Sequence, residues 1–413
     1  MKVAAPVNVF KKLNISEQEV QTHSLRVPIA SNIRSNTMAD LKVEDLNETK
    51  KVIYAKFKKP APLLTPAFDA NYFGPIVHEL LKDKVVGYMF QVYKGGNAIY
   101  TGQWNWARIL NDGSKGWTAD TRMHVASVSK MMTAIGLVKL LDQKKISLDD
   151  PIAEYLPTYW KRGNGVASIS FRQLLNHTSG FSGEKSRCDY PFMKEQVEKG
   201  PNVDAGTYAN VNFSIMRVLI TIINGRMAAN FNIPNVDSSI VDTMWDVVAT
   251  KYFQEYLNKE VFSVAGLPTI GFKPEAGGPT AKAYSSMTDK QGREGNWSTV
   301  SGGAGMYMSV AQILKTLHAF RNGKIVATSR AQYMLDHKLG INSANDTPAG
   351  KVYTRLGMWS IDDGEEQTAV YCLPNNVNIA VCINSPVKDF KNNKGENRHV
   401  HGLLYPAIEA SIH

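Results

Sequence analysis

A serine and a lysine three residues apart, Ser127-Val128-Ser129-Lys130, stand directly ahead of an apolar helical pattern. If Ser127 begins that helix, Lys130 lies one turn on and on the same face, so its ammonium can approach the hydroxyl. A serine hydroxyl is a weak nucleophile at its own pKa, and a desolvated lysine can act as its base. The helix N-terminus adds positive potential and free N–H groups where an acyl oxyanion would form. Taken alone, these residues read as an N-cap serine and a surface lysine. Further along comes Tyr208-Ala209-Asn210, preceded by Asp204-Ala205-Gly206-Thr207. A tyrosinate held near a lysine can serve as a general base, and an asparagine amide can bind a substrate carbonyl. Standing alone, that motif is a turn tyrosine with an Asx-type asparagine.

The elements that must position these groups follow from periodicity. Val86 to Tyr93 and Ala98 to Gly102, separated by Lys94-Gly95-Gly96-Asn97, read as a hairpin with a Gly-rich turn. Met131, Ile135, Val138 and Leu141 fall at near-helical spacing, with Leu137 and Leu140 widening the stripe, and predict a helix behind Ser127. Asp149-Asp150-Pro151 opens a new unit, because Pro151 disfavours a helical Asp150. From about 150 to 295 the pattern is mainly helical, with 170–175 and 241–262 as examples. A helix over 310–320 precedes two strands, 368–372 and 378–383, flanking the turn signal Pro374-Asn375-Asn376. A closing helix is predicted over 403–412. Strands near both ends with helices between imply a sheet built from distant parts of the chain. Residues 1–70 are polar, carry the linker-like run Lys56-Phe57-Lys58-Lys59-Pro60-Ala61-Pro62, and read as an extension lying on the domain.

Composition narrows the functional classes. Of 413 residues, 43% are hydrophobic and 20% charged, which excludes a disordered or fibrous chain. Lys plus Arg (47) against Asp plus Glu (37) leaves a net +10. The basic residues are scattered, with no aromatic-basic strip, so a solvated surface is expected and no nucleic-acid partner. No apolar run of about 18 residues exists, so no transmembrane segment is expected. Cys188, Cys372 and Cys382 make neither a disulfide framework nor a CxxC site, and are expected as buried free thiols. His399-Val400-His401 finds no third ligand at zinc spacing, so no metal and no other cofactor is expected. No GxxxxGK[ST], HExxH or GxSxG occurs. His124 reads as a core or rim histidine, with a place lining the site as the alternative, and His177 as the residue fixing a turn. Asn8, Lys11 and Lys12 interrupt any apolar h-region. If Met1 is the native start, no secretion signal is readable and the cytoplasm is favoured.

Further segments in order extend the two motifs. Leu174-Leu175-Asn176-His177-Thr178-Ser179-Gly180-Phe181 resembles LLxHTSG, and Ala205 to Phe213 resembles PG-x-x-x-YSN-x-N-Y. Tyr256 to Leu267 is similar to a helix ending in PLGM, and Ser301-Gly302-Gly303-Ala304-Gly305-Met306-Tyr307-Met308-Ser309 to AGG-L-x-S-T. Together these resemble the serine β-lactamase-related family: class C β-lactamases, penicillin-binding DD-peptidases, and the family's esterases, amidohydrolases and transacylases. The resemblance spans about 85–390. It implies an α/β (α+β) fold, an antiparallel sheet flanked by helices, assembled from about 71–148 and 295–413 with a mainly helical lobe over about 149–294. The active site would lie at their junction.

Carried over by position, Ser127 is the acylated nucleophile, Lys130 its partner, Tyr208 the base that relays protons, and Asn210 a substrate-positioning amide. The Ser127 N–H would be one oxyanion donor. The family's third motif, Lys or His, a small residue and Gly, has no clean copy. Leu356-Gly357-Met358-Trp359 resembles GLGW, and the nearest alignment then puts Asp362-Asp363-Gly364 at the third motif as substrate-binding residues. Two acids there would repel a penicillin, because the cation they replace helps hold the substrate carboxylate. The expectation is a serine hydrolase or acyltransferase working through an acyl-enzyme on Ser127, on a neutral or amine-bearing ester or amide. The alternatives are a β-lactamase or D-amino-acid peptidase, and a catalytically silent scaffold on the same fold. The expected partner is a small-molecule ester, amide or lactam, with a homo-oligomer left open.

Overall fold

The computed structural model describes residues 56–57, 65–181, 188–202, 208–233, 235–275 and 278–413. Most of the expected 1–70 extension, and Asp204 to Thr207 ahead of Tyr208, lie outside the described residues. Asp69 accepts from the N–H groups of Asn71 and Tyr72 and so caps α1 (Ala70–Leu81). The expected hairpin follows as β1 (Gly87–Lys94) and β2 (Asn97–Arg108), turning at Gly95 and Gly96, both at positive φ. Two successive left-handed positions suit glycine, which has no Cβ to clash.

Short strands β3 (Lys115–Gly116) and β4 (Arg122–His124) lead through a single 3-10 turn, Ala126–Val128, into α2 (Ser129–Lys144). The helical stretch then supplies α3 (Phe171–Leu175), α4 (Tyr190–Lys199), α5 (Val211–Ile223) and α6 (Ser238–Leu257). After it come β5 (Tyr307–Ser309), α7 (Val310–Arg321), α8 (Thr328–Asp336) and β6 (Ser343–Thr347). The chain closes with β7 (Gly350–Ile361), β8 (Gly364–Cys372), β9 (Val377–Ile383) and α9 (His401–Ala410). Capping boxes start α3 (Ser170 with Gln173) and α7 (Ser309 with Gln312), fixing where each helix leaves the preceding segment.

Seven strands form one antiparallel sheet in the order β3-β2-β1-β9-β8-β7-β6, and β4 pairs with β5 beside it. The seam β1–β9, with Tyr88 opposite Ile383, joins the two ends of the fold as the strand pattern predicted. One sheet face is covered by α1 and α9, whose Phe73, Ile76, Leu404 and Ile408 bury against Phe90 and Val381. The other face carries α7, α2 and the helical stretch. Helix α2 is enclosed nearly all round between the sheet and α5 and α6. Enclosure on every side explains why its apolar stripe is wider than one face. Cys188, Cys372 and Cys382 are buried and form no disulfide among the described residues. Among the described residues no helix is long and apolar enough to cross a membrane, and no group of three His, Cys, Asp or Glu could hold a metal.

Candidate active site

Ser127 sits in the 3-10 turn that precedes α2, rather than in the α-helix itself. Ala126 before it adopts φ 46°, a left-handed conformation that costs a residue with a Cβ about 1–2 kcal/mol. The bend leaves Ser127 half-buried at a surface while Ala126 and Val128 are buried. Lys130, fully buried one turn later, directs Nζ at three oxygens: Ser127 Oγ at 2.9 Å, Asn210 Oδ1 at 2.6 Å and Gly303 O at 2.6 Å. A buried ammonium is tolerated only when its N–H groups are met in this way. Tyr208 and Asn210 enter from the N-terminus of α5, and Tyr208 Oη lies 2.9 Å from Ser127 Oγ. The geometry therefore brings Ser127, Lys130, Tyr208 and Asn210 together.

The loop before β5 completes this side. A Cβ on Gly302 would lie 2.5 Å from Phe213 O, and one on Gly303 would lie 3.1 Å from Asn210 O. Only glycines let this backbone lie close enough to α5 for the Gly303 carbonyl to accept from Lys130. Electrostatics then act on the shared proton. Burial pushes the Tyr208 phenol up, but the Lys130 and Arg355 cations and the bond to Ser127 outweigh it and bring it down to about 8. Burial pulls the Lys130 ammonium below its ordinary value, opposed by Tyr208 and reinforced by Arg355.

Asp362, Asp363 and Gly364 are not at this site. Ile361 pairs with Gly364, so the two aspartates are the turn of the β7–β8 hairpin, with Asp362 at φ 54°. Both are exposed, and Asp363 forms an ion pair with Arg293. At about 3.3 Å per residue, Asp362 lies about 16 Å along the strand from Gly357, which faces Ser127. The acids fall there because a hairpin turn favours Asp, which tolerates the left-handed region and solvates its own turn.

A cation, a spacer and a glycine do face Ser127, earlier in β7: Arg355-Leu356-Gly357. Arg355 Nε donates to the Ser127 carbonyl at 2.8 Å, and Nη2 lies 3.4 Å from Tyr208 Oη. A Cβ on Gly357 would meet Val125 O at 2.6 Å and Ser127 N at 3.0 Å, so the strand passes Ser127 at backbone contact. The sequence held the signal, a basic residue two before a glycine in an apolar strand. The signal is easily missed, because the motif usually carries Lys or His and Gly357 also fits the GLGW-like segment. The expected repulsion of anionic substrates by two acids loses its ground, and so does the preference for an amine.

The family model described as Beta-lactamase matches residues 73–385. The chain belongs to the Beta-lactamase family. Among curated relatives of this family member is the esterase/beta-lactamase LipL of Mycobacterium tuberculosis, 33% identical over 86 residues, 20% of each chain. Beta-lactamase-like protein 4 of Dictyostelium discoideum is 29% identical over 180 residues, 39% of this chain and 31% of the relative. The aligned stretches cover 20% to 50% of the curated relatives' lengths. Among solved structures, the D-amino acid amidase from Ochrobactrum anthropi SV3 superposes with a TM-score of 0.60 at 16% identity, covering 83% of this chain and 96% of that one. EstCE1, a hydrolase with promiscuous acyltransferase activity, gives 0.56 at 15% identity, with 82% and 97% covered. At such identities the likeness establishes the fold.

Two histidines of this Beta-lactamase family member flank the constellation. His124 is buried, stacked on Trp297, with Nδ1 2.9 Å from Glu366 Oε2 and Nε2 accepting the Gly305 N–H at 3.1 Å. Burial holds it down to about 3 and pushes Glu366 well up, so this pair is structural at working pH. His177 adopts φ 61° at its turn and lies on the Tyr208 ring, 4.4 Å between centroids.

Proposed function

We propose that the protein is a serine hydrolase acting on neutral ester or amide substrates through an acyl-enzyme on Ser127. The observation that carries the reading is the placement of Ser127 Oγ at 2.9 Å from both Tyr208 Oη and Lys130 Nζ. Two of Lys130's three positions meet oxygens that only accept, Asn210 Oδ1 and Gly303 O. As an ammonium it donates to Ser127 as well, so the proton leaving Ser127 goes to the Tyr208 phenolate. A phenol near 8 has a useful fraction ionised at neutral pH and is still basic enough to take it.

Ser127 Oγ then bonds to the substrate carbonyl carbon and the carbonyl oxygen becomes the oxyanion. The Ser127 N–H is one donor to it. The second is the Met358 N–H. Leu356 N–H points off the sheet edge to Asn342 Oδ1, and backbone groups two residues apart on a strand share a side. Met358 therefore presents its N–H along the same edge, beside Ser127. Collapse breaks the bond to the leaving alcohol or amine, which takes the proton back from Tyr208. Water repeats the sequence on the acyl-enzyme, again losing its proton to Tyr208. Asn210 Oδ1 is committed to Lys130, so its amide N–H end is the part that meets a substrate carbonyl.

The preference for neutral substrates rests on Arg355. This cation stands at the third-motif position, yet it is 1% exposed and its guanidinium is turned to Ser127 O and Tyr208. A charge engaged inside the protein is a poor receptor for a substrate carboxylate. Short-chain p-nitrophenyl esters are expected to exceed nitrocefin and penicillin G in kcat/KM by roughly tenfold or more, about 1.4 kcal/mol of barrier. Fluorophosphonate labelling followed by mass spectrometry of the Ser127 peptide tests the nucleophile. Label on another residue ends the assignment of Ser127, and no label at all favours a silent scaffold. Nitrocefin turnover equal to that of the esters replaces the esterase with a β-lactamase.

A further inference from the structure

We infer that His399 is a positioning residue that holds the oxyanion-donating peptide Gly357–Met358 in place from the opposite face of the sheet. The inference rests on the acyl-enzyme reading above and goes beyond it.

His399 lies just before Val400, the N-cap of α9. The Val400 N–H donates to Gln367 Oε1 at 2.6 Å, and Gln367 Nε2 donates to Glu365 Oε1 at 2.6 Å. On β8, Gln367 and Glu365 alternate with Glu366, which faces His124 on the Ser127 side. His399 thus approaches β7 from the side facing away from the nucleophile. Its Nδ1 accepts the His401 N–H at 3.0 Å, which leaves the ring proton on Nε2. That Nε2–H donates to Gly357 O at 3.0 Å. Burial holds His399 down to about 4, so the ring stays neutral and keeps this one donor through the neutral range.

The bond matters because of what lies at the other end of the peptide. Gly357 C=O and Met358 N–H belong to one planar unit and point in opposite directions. Clamping the oxygen toward β8, where Gly357 stands opposite Thr368, therefore aims the N–H at the edge beside Ser127. A donor on the carbonyl also polarises the amide and strengthens its N–H. Gly357 is where such a clamp is needed. A Cβ there would lie 2.6 Å from Val125 O and could be accommodated only by a backbone shift, and glycine is the residue least able to hold its own backbone angles.

The test compares His399→Leu, which removes the donor, with His399→Gln, whose amide N–H falls near the Nε2 position. Three quantities are read on the full chain: kcat and KM for p-nitrophenyl acetate per fluorophosphonate-titrated site, the Ki of a small arylboronic acid, and the Met358 amide shift. Labelling glycine with 13C′ and methionine with 15N isolates two peptides, Gly305–Met306 and Gly357–Met358. His399→Leu is expected to lose about tenfold in kcat and about tenfold in boronate affinity, with KM within about twofold and the Met358 amide proton moved upfield. His399→Gln is expected to return within about threefold of wild type. Wild-type kcat and boronate affinity in His399→Leu, or equal losses in the two variants, overturn the inference. If His399→Leu does not fold, His399→Asn replaces it. Its shorter amide does not reach Gly357, so wild-type values in that variant are equally fatal. A wild-type protein that neither labels at Ser127 nor cleaves the ester sinks the acyl-enzyme reading instead, and the amide shift then still reports whether His399 holds the peptide.

Discussion

Two buried acid–base pairs lie on either side of Ala126, and only one of them is tuned to neutral pH. Lys130 and Tyr208 share Ser127 Oγ, are backed by Arg355, and leave the phenol at about 8. His124 and Glu366 are as deeply enclosed, but the histidine is driven to about 3 and the acid well upward. The Gly305 N–H already points at His124 Nε2, so protonating that nitrogen would set two hydrogens face to face. Glu366 Oε1 meets no hydrogen-bond partner among the described residues. Burial alone silences a titratable pair. Burial with a complete set of acceptors and a second cation shifts it to where it can move protons.

The sharpest break in that comparison is the loss of the tuned pair's target. Ser127→Ala is expected to lower ester turnover by roughly 10⁴-fold or more, with the melting temperature unchanged. Tyr208→Phe and Lys130→Met should each lose roughly 10²–10³-fold, and the double variant little more, because the residues act as one unit. Steady-state kinetics with circular dichroism checks all of these, and additive losses would separate Lys130 from Tyr208. Next in size is Gly357→Ala, whose new Cβ would sit 3.0 Å from Ser127 N. The backbone must move, and about a hundredfold loss in kcat with folding retained is expected.

Arg355→Gln tests the second cation. With the Tyr208 phenolate as the proposed base, kcat/KM should rise with pH through about 8 in the wild type. Removing a cation disfavours the phenolate, raises its pKa and moves that limb upward by about one unit, a loss of about tenfold at pH 7. A limb that stays in place would show that Arg355 does not tune Tyr208. The smallest effect belongs to the silent pair. Glu366→Gln keeps an oxygen for His124 Nδ1–H and changes no charge if the acid is neutral. Rate and pH profile should stay within about threefold of wild type.

The contrast between the pairs also marks what could be read from the chain. Ser127, Lys130, Tyr208 and Asn210 were legible because they lie in short segments with their own local pattern. The hairpin at Gly95-Gly96, the helix behind Ser127 and the strands flanking Pro374 were legible for the same reason. The cation of β7 was not. Arg355 acts on Ser127 across 228 residues of sequence, and nothing local marks it except the glycine two residues on. Asp362 and Asp363 misled because an acidic pair in a hairpin turn and one in a binding site look alike until strand pairing is known. His124 fits its reading as a core histidine, while its Glu366 partner was invisible for want of any local relation.

The seam between β1 and β9 has a kinetic consequence. Val86 N–H bonds to Ser385 Oγ across 299 residues, and the oxygens around Lys130 come from positions up to 173 residues away. Contacts that close such long loops carry their entropic cost before any local reward, and they form late. The Ala126–Val128 turn can fold early, but without Gly303, Arg355 and Gly357 it is only a strained bend ahead of a helix. Catalytic competence should therefore return as the last and slowest phase of refolding, after helical signal is recovered. A partly folded chain would carry Ser127 in a form that does not react.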